Sequence, residues 1–229
     1  MPNMCHSHII VTGPADDLRE FRNRCFVTDS DDKIEFTFNA IIPMPEILEE
    51  NLVHHHDALC LVALGADPGR IIGQRLSLEE ALAVDWVEAA AIHSREELLA
   101  HLEKNEPAAL AAAGKRLAAH LATGHPDWYS WRLENWGTKW PADLTEIMSE
   151  RDGQFEFRFA NPWAFPHPVF FELGDLYPDL SFEFVAIDPD THEGSRGFVM
   201  GPVDFSETIP HADLYDYARS LFGWEPEAA

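Results

Sequence analysis

Apolar and polar positions along this chain follow two periods, and the period changes twice. Cys5 to Thr12 reads as a strand that the breaker pair Gly13-Pro14 ends. Leu18, Phe21 and Cys25 then recur at i, i+3 and i+7, the stripe of an amphipathic helix. In Ile34-Glu-Phe-Thr-Phe38 apolar and polar residues alternate, as in a half-buried strand. The prolines of Ile41-Ile-Pro-Met-Pro45 predict a packed, extended loop, because proline cannot donate to a central ladder.

Residues 58–126 change character. Alanine and leucine dominate, and phenylalanine and tyrosine are absent. Ser77 with Glu80 and Ser94 with Glu97 have capping-box spacing. They precede Leu82, Trp86, Ala89 and Ala90 in one predicted helix and Leu98, Leu99 and Leu102 in the next. A third helix is expected from Pro107 through Leu110, Leu117 and Leu121 to Gly124. The segment therefore reads as a helical hairpin or three-helix insertion.

Strand periodicity returns after residue 127. Phe155, Phe157 and Phe159 alternate with Glu156 and Arg158, and Phe182, Phe184 and Ala186 with Glu183 and Val185. Between them Val169, Leu173 and Leu176 mark a short helix ended by Pro178. Gly197 to Phe205 reads as an edge strand interrupted by Gly201-Pro202, and Leu214, Tyr217, Ala218 and Leu221 as a terminal helix. Every strand alternates, which disfavours a parallel sheet covered on both faces. The expected fold is α+β: an antiparallel sheet with helices on one face, formed by residues 1–57 and 127–229, and an all-helical insertion at 58–126.

Charge narrows the function classes. The 229 residues carry 40 acidic and 16 basic side chains, a formal charge of −24, and 46% are hydrophobic, enough to bury a core. So few cations disfavour direct nucleic-acid binding and an anionic membrane surface. The acidity is uneven: residues 58–126 hold 6 basic and 9 acidic side chains, whereas 127–229 hold 6 and 20. Three widely spaced cysteines, Cys5, Cys25 and Cys60, suit a reducing compartment. The first residues lack the basic-then-apolar pattern of a secretory signal, and a bacterial cytoplasm is the expected location.

One motif stands apart. Trp128-Tyr-Ser-Trp131-Arg-Leu-Glu-Asn-Trp136-Gly-Thr-Lys-Trp140 concentrates four of the seven tryptophans in 13 residues. Trp128 and Trp131 suit a helical turn, and Trp136, Thr138 and Trp140 one face of a strand, with Asn135 and Gly137 at the junction. The rings either anchor a core or form a binding surface with Arg132, Asn135 and Lys139, since aromatics beside arginine are enriched at binding hot spots. The candidate binding residues are thus Trp128, Trp131, Arg132, Asn135, Trp136, Lys139 and Trp140.

This motif resembles the signature of the YubB-like proteins with a ferredoxin-like domain, encoded on bacterial plasmids and phages. The opening MPNMCHSHIIVTGP, the run Phe38-Asn-Ala-Ile-Ile-Pro-Met-Pro45 and Tyr177-Pro-Asp-Leu180 are similar to other elements of that family. Met4 departs from the expected early tryptophan, and Pro141 follows the motif where small polar residues are usual. The resemblance implies a ferredoxin-like sheet and a mobile-element origin; the family is of unknown function, so it implies no catalytic residue.

Other constellations give less. His54-His-His56-Asp57 invites a metal, but three adjacent imidazoles cannot converge from one helix or strand, and the run reads as solvated loop. His6 and His8 form an i, i+2 pair that could complete a site only if the two segments were neighbours. Asp188-Pro-Asp190 reads as a turn. No phosphate loop, GxSxG, HExxH or paired CxxC occurs. No metal, cofactor or catalytic residue is expected. The expected role is an acidic, non-enzymatic interaction protein with a basic-surfaced protein partner, a host defence or nucleic-acid-binding protein, in its sharpest form by DNA mimicry. The alternative is an enzyme or small-ligand domain with its site around Arg132, Glu134, Asn135 and Lys139.

Overall fold

The computed structural model describes residues 3–28, 30–49 and 57–224. Contacts divide the chain into two units, Met1–Pro43 with Arg132–Ala229, and Met44–Trp131.

The first unit is built on one antiparallel sheet in the order β4-β5-β1-β6-β7-β8. Its strands are β1 (Met4–Thr12), β4 (Asp143–Arg151), β5 (Gln154–Pro162), β6 (Ser181–Asp188), β7 (Glu193–Met200) and β8 (Val203–Thr208). Central β1 pairs Ile9 with Phe157 of β5 on one side and Phe184 of β6 on the other. The period-2 alternation therefore sends Cys5, Ile9, Val11, Phe155, Phe157, Phe159, Phe182 and Phe184 to one buried face. Helices α1 (Ala15–Cys25) and α9 (His167–Leu176) cover that face. Phe21 of α1 meets Phe155, Phe157 and Phe182 at ring separations of 5.4–6.1 Å, and Phe170 of α9 meets Phe159 at 6.2 Å. These aromatic contacts, edge-to-face at Phe155 and Phe182, tilted at Phe157 and stacked between Phe159 and Phe170, add about 0.5–1.5 kcal/mol per pair beyond burial.

The other face is not bare, which corrects the expectation of helices on one face. Helix α10 (His211–Phe222) packs there through Leu214, against Ile187 and Ile209, with Tyr217, Phe222 and Trp224 around them. The reason is in β6: Val185 and Ile187 put a short apolar row on that face, which the terminal helix can bury.

Other elements depart from expectation. Ile34–Phe36 is a three-residue strand, β3, paired with β2 (Phe26–Thr28) in a separate two-stranded sheet, and Phe38–Ala40 turns into a 3-10 helix. Gly197 to Phe205 is no interrupted strand but the hairpin β7–β8, closed at Gly201-Pro202 with Gly201 at φ +54°. A glycine first in a two-residue loop supplies the positive φ that such a hairpin needs.

The second unit contains α2 (Asp57–Ala63), α3 (Pro68–Ile71), α4 (Leu78–Leu82), α5 (Asp85–Ala89), α6 (Arg95–Asn105) and α7 (Pro107–Thr123). Leu59 to Ala63, Leu98, Leu102 and Ala113 form its core. Ser77 and Glu80 make a reciprocal capping box, whereas Glu97 turns to the His93 N–H at 2.7 Å while Ser94 caps the Glu97 amide. Gly124 at φ +81° ends α7. The helix expected across Leu82–Ala90 is two, α4 and α5, because Ala83 and Val84 leave helical geometry. Asp57 and Arg116 form a buried ion pair here, 2.5 Å apart.

Candidate functional site

The motif lies on helix α8 (Trp128–Asn135) and the bend after it. The unit boundary falls inside α8, so Trp128 and Trp131 belong to the helical unit and Arg132, Asn135, Trp136, Lys139 and Trp140 to the sheet unit. Trp131 is buried, Trp128 half-buried, and Trp136 is 2% exposed. The Trp136 indole N–H donates to the Ile42 carbonyl at 2.9 Å, and the Arg132 guanidinium lies 4.8 Å from its ring centre. Trp131 and Trp136 are thus core anchors. Asn135 is half-buried at the end of the helix.

Trp136, Thr138 and Trp140 do not share a strand. The chain bends at Gly137, φ +76°, which turns buried Thr138 inward to donate to the Pro162 carbonyl at 2.9 Å. Trp140 faces out, 41% exposed, and the Lys139 ammonium sits 3.9 Å from its ring centre and 5.1 Å from that of Trp163. Trp163 holds a left-handed φ of +74°, which bulky residues adopt only where their surroundings impose it. Half-buried Lys139 with exposed Trp140 and Trp163 forms one solvent-facing part of the motif region, in which Tyr129 and Glu134 are exposed too, and Trp163 lay outside what the motif's spacing could reveal.

A second region gathers chemistry on the face shared with α10. The His8 Nε2 and Glu156 Oε1 atoms are 2.7 Å apart, and the Ser149 hydroxyl donates to the other Glu156 oxygen at 3.1 Å. Burial pushes the Glu156 carboxyl up, but hydrogen bonds from His8 and Ser149 outweigh it, so its pKa lies below the ordinary value. Beside them a cleft of about 440 Å³ opens between β7 and α10, lined by His8, Ile10, Glu183, Arg196, Phe198 and Tyr217. Arg196 spans it, bonded to Glu207 at 2.7 Å and to the Tyr217 hydroxyl at 2.5 Å.

At the sheet's end lies β8. All six of its residues are exposed, Val203 at 56% and Phe205 at 49%, and exposed Met200 pairs with Val203 across the hairpin. The hairpin and α10 carry no lysine between Gly197 and Ala218 and no arginine, against Asp204, Glu207, Asp213 and Asp216. Apolar and acidic groups meet solvent together here. The helical unit has its own cleft of about 690 Å³, where Arg70, Arg75 and Arg95 stand with Asp67 and Glu80.

The cysteines lie in the cores. Burial pushes Cys5 and Cys25 up to about 12 and Cys60 up to about 11, so all three stay thiols at neutral pH. Asp188 makes the expected turn, accepting from the Asp190 and Thr191 amides at 2.8 and 3.2 Å. Among the described residues no group of three or more His, Cys, Asp or Glu side chains could hold a metal; His54 to His56 lie outside them. Nor is any described helix long and apolar enough to cross a membrane.

No family model matches the chain, and no curated protein does. Among solved structures it is similar to the protein api92 from Yersinia pseudotuberculosis, described with the family name DUF1281. The match has 9% identity and a TM-score of 0.46, covering 92% of this chain and 99% of that one. A likeness at that level has no bearing on family or function.

Proposed function

We propose that the protein is a non-enzymatic interaction protein that holds a basic-surfaced protein partner on the β7–β8 side of its sheet unit. The observation that carries this reading is the joint exposure of Met200, Val203 and Phe205 in a segment whose formal charges are acidic apart from Arg196, which is paired with Glu207 and leaves Asp204 unopposed by any cation of the hairpin. Exposed apolar patches mark interaction sites, and a negative field steers cationic partners. The strand order β4-β5-β1-β6, with α1 after β1 and α9 after β5, supports a ferredoxin-like core to which β7, β8 and α10 are added. With the resemblance to YubB-like proteins, this supports a mobile-element product acting on a host defence or nucleic-acid-binding protein in a bacterial cytoplasm. Partners captured from a bacterial lysate test it: their complexes should weaken steeply from about 50 to about 300 mM salt. They should also be lost in the double charge reversal Asp204→Lys with Glu207→Lys. Salt-indifferent binding unaffected by that reversal would reject the reading.

A ligand site at the motif is favoured by one observation, the Lys139 ammonium held against two half-exposed indoles. Tryptophan fluorescence against a metabolite panel checks it, since any response there must change in Lys139→Ala.

A further inference from the structure

Hairpin geometry fixes which backbone groups of β8 remain for a partner. The two-residue loop closes on the pair Met200–Val203, and at the other end the Ile209 amide donates to the Gly194 carbonyl at 2.8 Å. Hydrogen-bonded pairs alternate in an antiparallel ladder, so 194/209, 196/207, 198/205 and 200/203 bond inward. The amides and carbonyls of Asp204, Ser206 and Thr208 therefore point away from β7. Among the described residues no strand pairs with that side.

Proteins usually blunt such an edge with charged side chains, lysine above all, with proline, a bulge or a covering element; the charges of β8, Asp204 and Glu207, are acidic and so repel other acidic edges but not a basic segment. In β8 there is no lysine and no proline, its pairing with β7 runs without a register shift, and every residue is exposed. What it presents is alternation: Val203, Phe205 and Glu207 on one face, Asp204, Ser206 and Thr208 on the other.

We infer that β8 is a docking edge for an extended segment of the partner, which adds as a seventh strand and places a basic residue opposite Asp204, a second opposite Glu207, whose carboxylate Arg196 also holds, and apolar ones opposite Val203 and Phe205. This rests on the interaction reading above and names its mode. Strand addition draws affinity from backbone hydrogen bonds and selectivity from alternate side chains. A second copy of this chain is the poorer occupant: each copy carries −24, and a β8–β8 ladder would bring two acidic edges together.

The test uses the full chain, isotope-labelled, and the peptide acetyl-Thr-Lys-Thr-Ile-Lys-Val-amide, written to run antiparallel to β8. Amide exchange at Asp204, Ser206 and Thr208 should slow about tenfold when peptide stands at about nine times its dissociation constant. The inward-bonded amides of Phe205 and Glu207 should change far less. Ser206→Pro removes one outward donor, sits on an edge where proline is tolerated, and should abolish the protection while leaving the remaining spectrum folded. A scrambled peptide of the same composition should give none. Peptide binding without protection at these three amides, or protection that survives Ser206→Pro, overturns the edge mode while the interaction reading stands. Absence of peptide binding at millimolar concentration, or Ser206→Pro-sensitive self-association in sedimentation, also overturns it. Should salt-sensitive partner binding itself be missing, the reading beneath falls with it.

Discussion

The sheet ends at β4 on one side and at β8 on the other, and the two edges are finished differently. β4 carries register shifts between Asp143 and Glu146 and between Ile147 and Ser149, while β8 pairs with β7 without one. β4 is also partly covered: the Phe36 amide donates to the Thr145 hydroxyl at 3.1 Å, and Lys33 reaches Asp143 at 3.2 Å. Bulges and a small second sheet make β4 a poor template for another strand. β8 has neither device. The same fold thus closes one edge, partly with a neighbouring small sheet, and leaves the other presentable, so the difference lies in what is placed beside each edge strand as well as in the strands themselves.

The largest effect should come from removing the layer that supports both edges. Phe157 is fully buried between Phe26, Phe36 and Phe159, and Phe157→Ala should cost about 3–5 kcal/mol in urea unfolding, destabilising both edges together. A loss below about 1 kcal/mol would mean the aromatic layer is not the shared support. Gly197→Ala addresses β8 alone. A Cβ at Gly197 would collide with the Phe205 carbonyl, so β8 must shift at a cost of about 1–3 kcal/mol. Amide protection at Phe205 and Glu207 should fall while β4 and β5 keep theirs; unchanged protection would contradict the close β7–β8 approach.

Thr145→Val is the counterpart at β4. It leaves the amide of buried Phe36 without its acceptor, about 1 kcal/mol, and should loosen β2–β3 without touching β8. Equal loosening at both edges would erase the contrast. The smallest effect is a pH dependence one strand in from β4. The folded Glu156 carboxyl lies below its ordinary 4.5, so its contribution is present above that value and lost as the pH falls through the folded pKa. Glu156→Gln should therefore be less stable than the parent at neutral pH, with the gap closing below about pH 4.5. A gap that stays constant across the acid range would show that His8 and Ser149 do not hold the carboxylate charged.

How much of this was legible depends on how local each signal is. The Phe155–Phe159 and Phe182–Ala186 alternations needed only their own period to declare a buried face, and the spacing of Ser77 and Glu80 was enough for a capping box. β4 carried no such signal: its residues Asp143–Arg151 are mostly polar or half-exposed because it is an edge with two irregularities. The motif misled for a related reason. Spacing alone aligned Trp136 with Trp140, whereas Gly137 turns the chain between them and separates a core indole from an exposed one. A two-residue Gly-Pro between alternating runs could have marked the β7–β8 hairpin, but the interruption read equally well as a flaw in one strand.

What the sequence settled unaided was the alternation of the Phe155–Phe159 and Phe182–Ala186 strands, the helices α1, α6 and α7, the Ser77–Glu80 cap and the excess of acidic charge, since these depend on neighbours a few positions away and on composition; α2, α3 and the break between α4 and α5 were not among them. Tertiary structure alone decided the order of the strands, the burial of Trp131 and Trp136, the meeting of Lys139 with Trp163, and the choice of β8 as the uncovered edge. Those outcomes turn on contacts between residues far apart in the chain. Whether an edge strand is left bare depends on what the rest of the polypeptide fails to place beside it, and no local pattern encodes an absent neighbour.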